Sequence, residues 1–457
     1  MSSPAAAPHH ALGVWSILGR LLVLGLVLAC MYAGTRLSAN PNGYAADIAA
    51  LGFLLLAGDL CGQLVGVIGI PHLTGYLLAG MVAGPQVLHL IDHQAVVDLQ
   101  LVNGLALALI AMTAGAELSL EILRKGLKSI VYGTLAQTFA VFALVTVSFV
   151  LASPLIPFMH ARPLNLIIGV GLLWGVVAVV KSPSAVLGLL SETGAKGPLS
   201  TYGIAMVVIL DVVVLLLATI AMALSRPLIE PGSELSLAQF RDLGHELLAS
   251  AAVGTTFGLV TAVYLKFVKQ GAILFLVALA YGASELAGTL GYDAMLAFIV
   301  AGFVVENLSM QGEKLRRTVA QSGRVIFVVF FANAGAHLDI AVLAHLWPVA
   351  LLLGGARAVA TAIAAHTASV WAGDPPAVRR WGWAPLISQA GVALGIALAV
   401  DDAFPTLGDG FLSLAIAVVG LNEAIGPVLF KIALSRAGEL PDAVILRPEA
   451  AADIPGT

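Results

Sequence analysis

Charge is what this chain has least of. Of its 457 residues only 11% are Asp, Glu, Lys or Arg, against 60% hydrophobic, and the mean hydropathy is +0.99. So few ionic groups cannot cover a water-soluble surface of this size, and one apolar run after another reaches the roughly 20 residues that cross a bilayer. A soluble enzyme is excluded. The few charges sum to −4 and form no long basic run, so the clustered Lys and Arg that phosphate backbones require are missing and no nucleic-acid partner is expected. Cysteine is nearly absent: Cys30 and Cys61 both fall in apolar runs, the setting of buried membrane thiols and not of a disulfide or a metal site. No Gly-rich nucleotide fingerprint follows a strand pattern, so neither a cofactor nor an appended regulatory domain is expected. Glycine, by contrast, is plentiful at 48, and small residues let membrane helices pack closely.

The hydropathy pattern predicts about fourteen transmembrane helices, near 15–35, 46–70, 72–88, 99–118, 128–152, 162–190, 200–225, 243–267, 271–288, 291–308, 321–338, 345–372, 381–402 and 411–437. The first carries Arg20 and reads as retained, because no Lys or Arg precedes Arg20 as a cleaved signal demands. One set of alternate loops holds eleven Lys and Arg, among them Arg124, Lys269, Arg317 and Arg380, and the other set four, which puts both termini in the cytoplasm of a bacterial cell membrane. The expected organisation is an extra helix and loop at 1–45, a first half at 46–225, an outer loop with linking helices at 226–290, a second half at 291–437 and a short tail at 438–457.

The halves echo one another. AGAELSL at 114–120 returns as AGAHLDI at 334–340, and LAGMV at 78–82 returns as VAGFV at 300–304. In the predicted order the matching helices are seven apart, so each repeat crosses the membrane in the opposite sense to its partner. Inverted repeats of this kind build secondary transporters whose sites lie near the midplane, where discontinuous helices meet. One discontinuity is visible in WGVVAVVKSPSAVLGLL, where Lys181-Ser182-Pro183-Ser184 interrupts an apolar run and proline removes a backbone donor. The second half is expected to hold its counterpart at Pro385-Leu386-Ile387-Ser388-Gln389-Ala390-Gly391. The next apolar run carries Asp211 amid Ile209, Leu210, Val212 and Val213, and an ionisable group that deep in hydrocarbon is a functional candidate.

LTGYLLAGMVAGP at 73–85, IAMTAGAELSLEILRK at 110–125, YGASELAGTLGYDAMLAFIVAGFVVEN at 281–307 and VVFFANAGAHLDI at 328–340 resemble, in order, segments of the monovalent cation:proton antiporter superfamily. The nearest branch is that of bacterial sodium/proton antiporters and the membrane module of potassium efflux systems. The likeness covers roughly residues 46–437. It implies an all-α antiporter fold with two crossed discontinuous helices, a core bundle that moves against a second bundle, and a homodimer made through that second bundle. It also implies that Asp211 alternately holds a proton and a monovalent cation, with Ser182 and Ser184 near the bound ion and Arg357 as the basic residue beside the crossing. Two positions depart from the family pattern. Leu210 stands where many sodium-selective relatives carry Asp or Asn, and Lys181 where a small polar residue is usual.

Competition of Na⁺, K⁺ or Li⁺ with H⁺ for one carboxylate suffices for exchange, and a single intramembrane acid at the site gives one proton per cation, an electroneutral cycle. Three roles are open to Lys181: a switchable salt bridge to Asp211, neutralisation of a half-helix end, or a tethered plug that ends cation transport. Arg357 stays charged at any working pH and so suits stabilisation of the carboxylate or of half-helix carbonyls. Glu285, Glu423, Gln389 and Ser388 are possible supporting residues. Asp59, Arg20, Glu306 and Arg324 read as interfacial, His89, Asp92 and His93 as a solvated loop, and His337 and His366 as ordinary histidines. Other readings stay open: a solute or anion transporter using Lys181 and Arg357, a potassium efflux pathway, or a non-transporting homologue.

Overall fold

The computed structural model describes residues 14–37, 44–91, 94, 99–230, 238–268, 270–309, 311–336, 340–389, 391–407 and 410–441. Among them every regular element is helical, as hydrocarbon demands of a chain that must satisfy its own backbone. The order is α1 (Val14–Leu37), α2 (Tyr44–Val67), α3 (His72–Ala83), α4 (Gln100–Glu117), α5 (Leu120–Lys125), α6 (Leu127–Ala136), a π-helical turn (Gln137–Val141) and α7 (Phe142–Ala152). Next come α8 (Leu164–Val179), α9 (Pro183–Thr193), α10 (Pro198–Ile229), α11 (Ala238–Phe267), α12 (Ala272–Leu290), α13 (Ala294–Leu308) and α14 (Gly312–Ala336). The chain closes with α15 (Ile340–Ala372), α16 (Pro376–Trp381), a 3₁₀ turn (Ala384–Leu386), α17 (Gly391–Ala403) and α18 (Gly410–Ala437). Seven helical stretches among the described residues are long and apolar enough to cross a membrane, and seven shorter apolar helices accompany them.

Some boundaries differ from the hydropathy reading for local reasons. The span expected at 72–88 stops at Ala83, because Gly84 turns the chain back and Leu88 and Ile91 donate to Val82 O and Ala83 O. The span expected at 321–338 starts at Gly312, since Glu313, Lys314, Arg316 and Arg317 extend the helix with residues a hydropathy window rejects. The loop expected at 226–243 is shorter, as α10 runs through Pro227 to Ile229.

The repeated motifs are the places where helices touch. A Cβ on Gly80 would run into Ala332 O, and one on Gly335 into Leu77 O, so α3 and α14 cross backbone to backbone. The same happens once more with the halves exchanged: a Cβ on Gly302 would strike Met112 O, and one on Gly115 Ile299 O, where α13 crosses α4. Each contact residue of one crossing has its repeat mate at the other, so the sequence echo is a symmetry of packing, made of the small residues that such crossings need.

Both interruptions are formed. α8 ends at Val179 and α9 starts at Pro183, where the ring takes the first helical position and Ser182 is the N-cap, its Oγ accepting from Ala185 N at 3.2 Å. In the second half the 3₁₀ turn ends at Leu386 and α17 begins at Gly391. The two breaks meet, because Gln389 Nε2 donates to Val177 O at 2.6 Å. Helix α10 lies antiparallel to α8, with Ser225 Oγ donating to Gly169 O at 2.9 Å. Counting about 1.5 Å per residue along both helices from that bond leaves the end of α8 at Val179 about 6 Å short of the level of Asp211, so the break that follows comes near that level.

Candidate ion site

Arg357 occupies the centre of the crossing. It is 1% exposed, and its guanidinium reaches both broken helices: Nε donates to Ala178 O (2.8 Å) and Nη2 to Val180 O (2.9 Å) at the end of α8, while Nη1 donates to Ile387 O (2.7 Å) and Nη2 to Leu386 O (3.2 Å) after the 3₁₀ turn. These are the carbonyls a broken helix leaves without amide partners, at the ends where its dipole is negative. The planar fork suits four acceptors at once, which a lysine could not match. Of the two roles open to Arg357, the carbonyl role is the one its bonds express.

Lys181 is equally buried at 1% exposed, and its Nζ donates to Thr361 Oγ1 at 3.3 Å, one helical turn along α15 from Arg357. The carbonyl of Thr361 in turn accepts Gln137 Nε2 at 3.1 Å, and Gln137 opens the π-helical turn between α6 and α7. Such a turn turns a side chain out of the regular helical register. The salt bridge to Asp211 left open by the sequence is therefore not formed: Lys181 is held by α15.

Asp211 stands apart from both cations. It is 7% exposed, and neither Oδ1 nor Oδ2 has a hydrogen-bond partner. The other acid whose field reaches it is Asp293, which caps α13 by accepting Leu296 N at 2.6 Å. Ser182 and Ser184 are buried at the first break with their hydroxyls 3.0 Å apart. At the second break Gln389 Oε1 accepts Asn422 Nδ2 at 2.7 Å, and Ser388 packs so tightly on Gly426 that a Cβ there would strike it. Glu423, next along α18, is 3% exposed with Oε1 unpartnered.

Other expected residues lie elsewhere. Glu285 is exposed on α12, away from this network. Glu306 pairs with Arg316 at 2.6 Å, Asp59 accepts Gln63 Nε2 at 2.7 Å, and His366 is exposed with Nδ1 2.8 Å from Arg379 O, all in keeping with ordinary interfacial roles. Asp92, His93 and His337 lie outside the described residues, as does the side chain of Arg324, and among the described residues no group of His, Cys, Asp and Glu is arranged to hold a metal.

Sequence reasoning missed Thr361, Gln137, Asn422 and Glu439. Gln137 could have been noticed as an amide inside an apolar run, but a threonine in a membrane helix is unremarkable. Glu439 follows the last helix in what read as a tail, yet its carboxylate accepts Leu199 N (2.6 Å), Ser200 N (2.8 Å) and Ser200 Oγ (2.6 Å), capping α10 from the far end of the chain.

An all-helical membrane bundle with repeat-related crossings and two interrupted helices joined through a buried arginine has the architecture of a secondary transporter. The chain belongs to the sodium/hydrogen exchanger family: the model for the transmembrane part of sodium/hydrogen exchangers matches residues 51–435. It is thus a membrane antiporter of cations and protons. Solved structures of similar fold include the sodium proton antiporter MjNhaP1 from Methanocaldococcus jannaschii at pH 8, at 15% identity and a TM-score of 0.64, covering 87% of this chain and 99% of that one. A second structure of the same protein, from an electron-microscopy map, matches at 15% identity and a TM-score of 0.64 over 89% of this chain and 99% of that one. No curated protein matches the chain significantly.

Proposed function

We propose that Asp211 is the exchange carboxylate, holding in turn a proton and a monovalent cation, Na⁺, K⁺ or Li⁺, as the core alternates between the two sides of the membrane. The observation that carries this reading is a buried acid with both oxygens unpartnered, while the two buried cations of the crossing are engaged elsewhere. A lone carboxylate cannot stay charged in a dry interior without compensation, and either a proton or a metal cation supplies it. The two exclude each other, and at Asp211 one proton is exchanged for one cation. The hydroxyls of Ser182 and Ser184, near the level of Asp211, are further oxygens for the cation. Because Arg357 gives its donors to four carbonyls, it is poorly free to bind an anionic solute, which favours cation exchange over an anion transporter. Lys181 held on Thr361 leaves Asp211 open, which argues against a tethered plug. The positive loops favour cytoplasmic termini in the cell membrane of a bacterium, and we assign the second bundle to a homodimer.

In proteoliposomes holding an imposed pH gradient, addition of Na⁺, K⁺ or Li⁺ is expected to dissipate the gradient with wild-type protein, and the responding ion names the substrate. Asp211→Asn is expected to be silent for every ion. Exchange that survives in Asp211→Asn overturns the assignment, and a silent wild type that gains activity as Lys181→Ser restores the plug.

A further inference from the structure

Asp211 and Glu423 occupy matching places. Each lies thirteen residues after the first residue of its helix, α10 or α18, and each of those helices follows the second part of a broken one, α9 or α17. Glu423 sits beside Asn422, which bonds the second break through Gln389, and one turn before Gly426, which abuts Ser388. Its side chain is 3% exposed and Oε1 has no partner, as neither oxygen of Asp211 has.

The charged groups on the elements packed around α18 are otherwise engaged. Arg357 on α15 bonds carbonyls, Lys181 bonds Thr361, Arg226 on α10 lies over the Phe404 ring, and Glu192 at the end of α9 accepts His72 N. Asp211 on α10 has Asp293 as its charged neighbour, and among the described residues no ionic side chain offsets the burial of Glu423. The remaining titratable groups of the facing elements are Arg379 and Arg380 on the short α16, Asp401 and Asp402 at the end of α17, and His345 and His366 on α15, with Lys431 two turns further along α18 and Arg436 beyond it. A carboxyl in this setting holds a proton, because at 3% exposure the bare anion is cut off from solvent and bonds no cation. On the leg that carries the cation, that cation offsets Asp211 and Arg357, which stays charged, offsets Glu423, so both acids can be ionised without a net excess of negative charge.

With Asp211 taken as the exchange carboxylate, we infer that Glu423 holds a second exchangeable proton, so that each cycle moves two protons one way for one monovalent cation the other way. Asp211 gives up its proton to take the cation, and Glu423 gives up its own on the same leg. One positive charge then crosses per cycle in the direction of the protons, and the membrane potential drives the exchange.

The test uses the full chain in proteoliposomes, with an internal pH dye and a potential-sensitive dye read together while Na⁺, K⁺ and Li⁺ are added in turn. Wild type is expected to dissipate the pH gradient and build a potential. Glu423→Gln is expected to exchange without building one, halving the protons moved per cation. Wild-type exchange without potential overturns the inference, as does a Glu423→Gln variant that builds the wild-type potential. If Glu423→Gln exchanges nothing, Glu423→Asp decides: potential in Glu423→Asp supports the second proton, and exchange without it overturns it. Loss of potential in Lys181→Met but not in Glu423→Gln would move the second proton to the lysine. Asp211→Asn, run alongside, separates the two readings, since an active Asp211→Asn removes the exchange carboxylate whatever Glu423 does.

Discussion

Arg357 concentrates the chemistry of the crossing in one side chain. Four carbonyls from two broken helices converge on it, and without its guanidinium each would be a buried acceptor with no donor, costing roughly 1–3 kcal/mol apiece before relaxation. Arg357→Lys keeps the charge and loses the fork. We expect it to lower stability by about 3 kcal/mol or more and to cut exchange, read as a lower unfolding midpoint in detergent together with the liposome assay. A wild-type midpoint would show that the carbonyls find other partners. The sequence marked Arg357 and Lys181 as buried cations, but which atoms they bond was not in it. Lys181 comes near the level of Asp211 by helix register and still turns to Thr361, because direction depends on which helix stands beside it.

At the scale of elements, the glycine crossings carry a prediction that owes nothing to the ion site. Gly80 and Gly302 are repeat mates, each pressed on a carbonyl of the facing helix, whereas Gly104 and Gly355 have nothing near enough to meet a Cβ. Gly80→Ala and Gly302→Ala are each expected to destabilise by roughly 1–3 kcal/mol through overpacking. Gly104→Ala and Gly355→Ala are expected to be neutral or slightly stabilising, since alanine is the better helix former. Thermal unfolding of the four variants checks this, and equal midpoints across them would refute the close crossing. The motifs were legible because two helices that must touch need small residues at fixed spacing, and the inverted repeat wrote that need twice. The breaks were legible because Pro183 and Pro385 stand in runs that also carry Lys181, Ser182 and Ser184 or Ser388 and Gln389, whereas α10 continues through the lone Pro227. Helix ends were less so: polar first turns such as Gly312–Arg317 are invisible to a hydropathy window.

Across the whole molecule, the helix that carries Asp211 is anchored by the end of the chain. Glu439 is 7% exposed and accepts three hydrogen bonds at the start of α10, where the dipole favours an anion. Glu439→Ala is expected to cost roughly 1–3 kcal/mol. The loss should appear as faster hydrogen exchange at the Leu199 and Ser200 amides, and unchanged protection there would remove the anchor. By itself the sequence determined that the chain lives in a membrane, that it repeats with inverted sense, that two helices are broken and that Asp211 lies in hydrocarbon, because composition, proline and periodic small residues act locally or along one helix. Only the tertiary structure decided that Arg357 joins the two breaks, that Lys181 avoids Asp211, that Glu423 is buried with Oε1 unpartnered and that Glu439 caps α10. Each of those depends on side chains distant in sequence meeting in a dry interior, where an unpaired polar group is costly enough to fix its partner.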